Sequence, residues 1–286
     1  MIDAIKYWDT HSVLRPPATF FGAKVGGLED LGPERIACCG IYCDHFSEGE
    51  PGARFLARQF RYCSSDPWLR NSLGFSNDFL IDVGDLNVYP LEPERLQTSL
   101  REQVARLVQT RARILFANAD FSITPSLIAG ILDSKKDTKI SVIRVSQRKD
   151  LGAVEDNSSL IGRRSQTGTR LLQLLGNRSA RLIWLQRLED LTEEHYAMLK
   201  SGICFLSVDA DILGPAHGYT SVYSGGRTRR IDDILELINS LNTLPIIAAE
   251  FTGHRPDFDL RDRAVTTQSL SIFSALAGLL QQGERN

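Results

Sequence analysis

Residues Ile203-Cys204-Phe205-Leu206-Ser207-Val208-Asp209-Ala210-Asp211 open as an apolar run of strand length and close on two carboxylates one residue apart. Side chains alternate along a strand, so Asp209 and Asp211 share one face if the strand runs through both. A run this apolar needs cover on both faces, as in a parallel sheet between helices. Six more runs of the same kind surround it: Arg35 to Cys43, Phe79 to Leu86, Ala112 to Asp120, Lys139 to Ser146, Ala180 to Arg187 and Pro245 to Thr252. Segments of helical period lie between them. The longest, Glu94 to Thr110, sets Leu96, Leu100, Val104 and Leu107 on one stripe. Others begin at Pro51, Thr124, Thr167, Thr192 and Arg230, and a last one runs from about Arg263 to Gln282. Thr124-Pro125 and Thr192-Glu193-Glu194 read as helix starts, with proline or acidic residues where the first turn accepts them. The alternation predicts an α/β fold with three layers, α/β/α, around a mostly parallel sheet. We expect a single domain over residues 1–286, with residues 1–18 as an N-terminal extension.

Composition narrows the partners. With 33 Lys and Arg against 35 Asp and Glu, the chain lacks the one-signed field of a nucleic-acid or anionic-membrane binder. The first residues, Met1 to Trp8, carry acidic and polar side chains where a signal peptide needs an apolar core, and no apolar run reaches the roughly 18 residues of a membrane span. A cytoplasmic location is the expectation. Cys38, Cys39, Cys43, Cys63 and Cys204 lack the paired spacing of a zinc site and read as reduced thiols that fill space. Two long polar loops, Arg148 to Gly168 and Gly214 to Arg229, follow strand runs directly, which places them at the carboxyl edge of a parallel sheet, where ligands of open α/β folds bind.

Several segments at that edge, taken together, resemble the ureohydrolase family of arginases and agmatinases. They are Gly40-Ile41-Tyr42-Cys43-Asp44 with Pro51-Gly52-Ala53-Arg54-Phe55 and Arg61, then Asp82-Val83-Gly84-Asp85, then Ala117 to Thr124, then Ser207-Val208-Asp209-Ala210-Asp211, then Gly225-Gly226 and Glu250. Their order and spacing hold over about residues 19 to 281. The resemblance implies a roughly eight-stranded sheet with the site at its strand ends, and an oligomer of identical chains. It also implies where the family's two manganese ions would be held. There the chain departs from the pattern. The first ligand histidine falls on Phe121, and the D-A-H-x-D ligand strand falls on Ser146-Gln147-Arg148-Lys149-Asp150. Asp150, Asp209 and Asp211 remain as ligand positions, all carboxylates, and no histidine occurs between His45 and His195. Activating water for attack on a guanidinium carbon is the work of the bridging metals, so the ordinary reaction is not expected and no cofactor is assigned.

The candidate site residues follow from that pattern. Asp209 and Asp211 read either as inherited carboxylates held by loop amides or an arginine, or as a grip on a cation and an acid–base pair. By resemblance Glu250 addresses a cationic substrate group and Asp120 supports the site. His45, His217 and His254 follow strand ends and form a candidate relocated proton-transfer set. Tyr219 belongs, with Tyr223, Arg227, Arg229 and Arg230, to a basic aromatic stretch that reads as a lid, an oligomer contact or a solvated helix start. Arg148, at a ligand position, is expected to bridge Asp150, Asp209 and Asp211 with its planar fork of donors; a single magnesium or calcium ion on those carboxylates is the other possibility. Three functions remain open: an enzyme acting on a small cationic, guanidino or amino-acid-derived molecule without the two-manganese site, an inactive homologue serving as a regulatory or structural subunit, and a single-metal guanidino hydrolase.

Overall fold

The computed structural model describes residues 18–44, 51–66, 77–135, 138–147, 181–213, 229–259 and 264–282. All seven apolar runs are strands, each within one or two residues of the expected span: β2 (Ile36–Ile41), β3 (Leu80–Asp85), β4 (Arg113–Asn118), β5 (Ile140–Val145), β6 (Arg181–Leu185), β7 (Ile203–Asp209) and β8 (Ile246–Thr252). An eighth, β1 (Lys24–Val25), was not legible because it is a two-residue edge strand. The order across the sheet is β1-β3-β2-β4-β8-β7-β5-β6, and every pairing is parallel. This is the α/β architecture the alternation predicts, wholly rather than mostly parallel.

Helices α1 (Leu56–Ser64), α2 (Pro93–Gln109), α3 (Thr124–Ser134), α4 (Glu193–Leu199), α5 (Ile231–Ser240) and α6 (Ala264–Gln282) connect or cover the strands. The expected starts hold. Thr192 caps α4 by accepting from the His195 amide at 3.2 Å, and α3 begins at Thr124 with Pro125 in its first turn. The helix expected from Thr167 lies outside the described residues. Two apolar layers flank the sheet. One packs Cys38, Leu115, Val145, Leu206 and Phe251 against α1, α5 and α6, and the other packs Cys39, Phe116, Val142, Phe205 and Ala248 against α2 and α3. Burial of this many aliphatic and aromatic side chains, at about 25 cal/mol per Å² of apolar surface, is the main favourable term for the fold. All five cysteines are buried and none is in a disulfide, as expected.

The register across the four central strands positions the site. Arg144 of β5 pairs with Ser207 of β7, which pairs with Glu250 of β8, so these three polar residues form one row on a single face. That face is the one covered by α2 and α3, because Val142, Phe205 and Ala248 lie two residues earlier on the same strands. One step nearer the carboxyl edge, Asp209, Thr252 and Asn118 form a second row. Arg144, Ser207, Glu250, Asn118, Thr252 and Asp209 are all buried. Six polar side chains in a dry layer need partners, since an unpaired buried charge costs several kcal/mol.

Candidate functional site

For five of the six the partners come from the rows themselves and from the start of α3, whereas Thr252 Oγ1 has no hydrogen-bond partner among the described residues. Glu250 is completely buried. Its Oε1 accepts from the hydroxyls of Thr124 and Ser207, each at 2.6 Å, and its Oε2 accepts from Asn118 Nδ2 at 2.8 Å. Burial pushes its carboxyl above the ordinary range, opposed by these bonds and by the charge of Arg144. Ser207 also accepts from Arg144 Nη1 at 2.7 Å, so its hydroxyl relays between the guanidinium and the carboxylate. Arg144 Nη2 donates to Asp209 Oδ2 in a buried ion pair. The face of the guanidinium lies on Phe121, 3.7 Å from the ring centroid, and its Nε has no hydrogen-bond partner. Gly253 closes the other side of Asp209: its φ is +83°, and a Cβ there would stand 2.6 Å from Asp209 Oδ1.

Asp211 does not continue the strand beside Asp209. β7 ends at Asp209, and Asp211 sits in the 3-10 turn Ala210–Leu213, its amide donating to Asp209 Oδ1 at 3.0 Å. Its own carboxylate is buried and accepts from Ser146 Oγ at 2.8 Å and the Gln147 amide at 3.1 Å. Asp120 caps the next turn, accepting from the Ser122 amide and hydroxyl at 3.2 and 2.8 Å. It also stands beside Asn118, which ties it to Glu250.

The structure therefore brings together Asp209, Asp211, Asp120 and Glu250 around residues that the sequence reading did not count as site residues: Arg144, Ser146, Ser207, Asn118 and Thr124. Among the described residues the guanidinium on Asp209 is that of Arg144. Arg148, Asp150, His45, His217 and Tyr219 lie outside the described residues, as do Tyr223 and Arg227. Arg230 is exposed and donates to Asp232 at 3.0 Å at the start of α5. His254 is wholly buried, its ring stacked against Phe60 and its Nε2 3.1 Å from the Thr266 hydroxyl. Burial lowers its pKa to about 4, so it is neutral at physiological pH. Its described contacts lie toward α1 and α6 rather than with the carboxylates. Among the described residues, no three His, Cys, Asp or Glu side chains form a group able to hold a metal ion.

A second buried arginine centre lies at the end of β3. Arg61 of α1 grips Asp82 through Nε and Nη2, both at 2.8 Å, reaches Asp85 with Nη1 at 2.6 Å and donates from Nη2 to the Gly84 carbonyl at 2.9 Å. Phe20 lies under its face, 4.2 Å away. Gly40 makes room for the cluster, since a Cβ there would lie 2.0 Å from Asp85 Oδ1.

Comparison with known proteins agrees with this fold. A model of the arginase family matches residues 34–161, just under half of the chain. Over those residues the chain is similar to the arginase family. No curated protein matches it in sequence. Solved structures with the same fold include proclavaminate amidino hydrolase from Streptomyces clavuligerus, at 16% identity and a TM-score of 0.72 over 94% of this chain and 99% of that one. A hypothetical agmatinase from Burkholderia thailandensis gives 17% and 0.73 over 94% and 92%. Formimidoylglutamase from Bacillus subtilis gives 18% and 0.67 over 96% and 98%. These likenesses establish the arginase-like fold. Among the described residues no helix is long and apolar enough to cross a membrane.

Proposed function

We propose that this chain is a non-hydrolytic member of the ureohydrolase fold, acting as a regulatory or structural subunit instead of as a two-manganese guanidine hydrolase. The observation that carries the reading is the engagement of Asp209 by Arg144. A carboxylate oxygen already holding a guanidinium is not available to a divalent cation without breaking a buried pair, which costs about 3–5 kcal/mol. The remaining donors fit the two-metal group no better. Phe121 presents a ring where the resemblance implies an imidazole, and Ser146 presents a hydroxyl, already donated to Asp211, where it implies a carboxylate. Hard divalent ions need oxygen and nitrogen lone pairs, and neither residue supplies a strong one. Glu250, the residue expected to meet a cationic substrate, already accepts from three side chains and is sealed from solvent.

The test is turnover. Purified protein supplied with manganese and with arginine, agmatine or formimidoylglutamate should release neither urea nor another hydrolysis product. Co-expression with an active arginase-family enzyme from the same cell should give a mixed assembly whose kcat or KM differs from that of the enzyme alone. Manganese-dependent hydrolysis by this chain by itself would overturn the reading.

A second reading is supported by the place of Glu250 at the centre of the polar rows, where burial pushes its carboxyl above the ordinary range while Ser207, Thr124 and Asn118 hold it. Here the chain is an enzyme that handles a small cationic molecule without metal, and the substrate displaces Asn118 or Thr124 from Glu250. Thermal stabilisation by arginine or agmatine, lost in Glu250→Gln, is its signature.

A further inference from the structure

Arg144 is the least expected residue of the core. It stands inside a strand whose every residue is buried, is itself 1% exposed, and reaches across to β7 and not outward to solvent. Its surroundings are those of a recognition site. A carboxylate meets one edge of the guanidinium, a hydroxyl meets the next nitrogen, an aromatic ring lies flat beneath the face, and the sheet closes the remainder. Carboxylate, neutral acceptor and π-face together satisfy a planar cation in a way they would not satisfy an ammonium or a spherical metal ion. Removing the guanidinium would take from the buried Asp209 carboxylate its ion-pair partner and from the Ser207 hydroxyl its donor, leaving a buried charge uncompensated.

We infer that Arg144 is a cation built into the chain, filling a guanidinium site from within, and that truncating it converts the core into a receptor for free guanidinium ion. The inference rests on the non-hydrolytic reading insofar as it takes the carboxylates to be neutralised by the protein itself. The tether accounts for the arrangement: a guanidinium carried on a neighbouring strand enters the site without the loss of translational freedom that a free ion would suffer. The intact protein is accordingly insensitive to added guanidino compounds, because the site is never vacant.

The experiment is chemical rescue. Arg144→Ala should lower Tm by roughly 5–10 °C, the scale of one broken buried pair in a chain of this size. Guanidinium or methylguanidinium chloride, at millimolar concentrations far below those that denature, should restore most of that loss and saturate, while ammonium and sodium chloride at equal ionic strength should not. The parent protein should show no gain. Absence of rescue, or an equal gain in the parent, overturns the inference and leaves the functional proposal standing. Restoration by manganese and not by guanidinium overturns both. If Arg144→Ala does not fold, the parent decides the matter. Its Arg144 Nη protons, assigned by their loss in Arg144→Lys, should appear as separate, slowly exchanging resonances, and a single averaged signal would show that the guanidinium is not held.

Discussion

Two buried arginines, each lying on a phenylalanine, neutralise this protein's interior in different ways. Arg61 comes from a helix and meets two carboxylates and a carbonyl, with Nε, Nη1 and Nη2 all engaged. Arg144 comes from a strand and meets one carboxylate directly and a second only through Ser207, with Nε unmatched. The first is a saturated staple joining α1 to β3. The second is an under-filled centre in which part of the recognition is left to a hydroxyl. Acceptor number, more than burial, separates them, since both side chains are 1% exposed. A fully matched guanidinium fixes an element, and a partly matched one marks a place that the fold could use for a different cation.

The largest effect expected is from Arg61→Ala, which strands Asp82 and Asp85 together and should cost about 3–5 kcal/mol in urea unfolding. Arg144→Ala should cost about 3 kcal/mol, because only Asp209 loses a direct partner. Reversal of that order would dissolve the contrast between staple and under-filled centre.

The two sides should also answer pH with opposite sign. His254, packed against Phe60 of α1, has a folded pKa of about 4 against an ordinary 6.5. Its contribution is therefore present above 6.5 and is lost as pH falls toward 4, by about 3 kcal/mol at 1.36 kcal/mol per unit. His254→Phe should flatten that acid slope, and an unchanged slope would place the acid sensitivity elsewhere. Glu250 behaves conversely. Its folded pKa is raised above the ordinary 4.5, so the protonated form favours the folded state, and that stabilisation fades as pH climbs through the raised value. Glu250→Gln, which mimics the neutral acid, should remove this slope at a cost of about 1 kcal/mol, measured as urea midpoint against pH. A mutant with the parent's slope would show that Glu250 is ionised throughout.

The sheet was legible because buried parallel strands are continuous apolar runs, and seven such runs end within a residue or two of the observed strands. Lys24–Val25 was not, since two residues on an edge carry no period. The site was legible in part. Asp209, Asp211, Asp120 and Glu250 could be named from the family pattern and are held close to one another. Arg144 was missed although it carried a signal of its own: a charge inside Ile140-Ser141-Val142-Ile143-Arg144-Val145, a segment that has to be buried, requires a partner on a neighbouring strand. The partner could not be identified without the strand order, because the row Arg144–Ser207–Glu250 exists only once β7 lies between β5 and β8. Loop pattern pointed to Arg148 instead. Asp211 was expected beside Asp209 on one strand face, but the chain turns after Asp209 and brings the Asp211 amide back onto it.

The strand order also sets a timetable. β8 is the last strand along the chain, yet it lies between β4 and β7 at the middle of the sheet. During synthesis β4 and β7 must each wait with one edge unpaired until residues 246–252 have left the ribosome. Contacts such as Asn118 to Glu250, 132 residues apart, form only then. Long-range parallel pairing of this kind folds slowly and exposes sticky edges in the interval. A nascent chain halted before residue 246 would carry two open strand edges and half of an acid–base core, the form of this protein most in need of a chaperone.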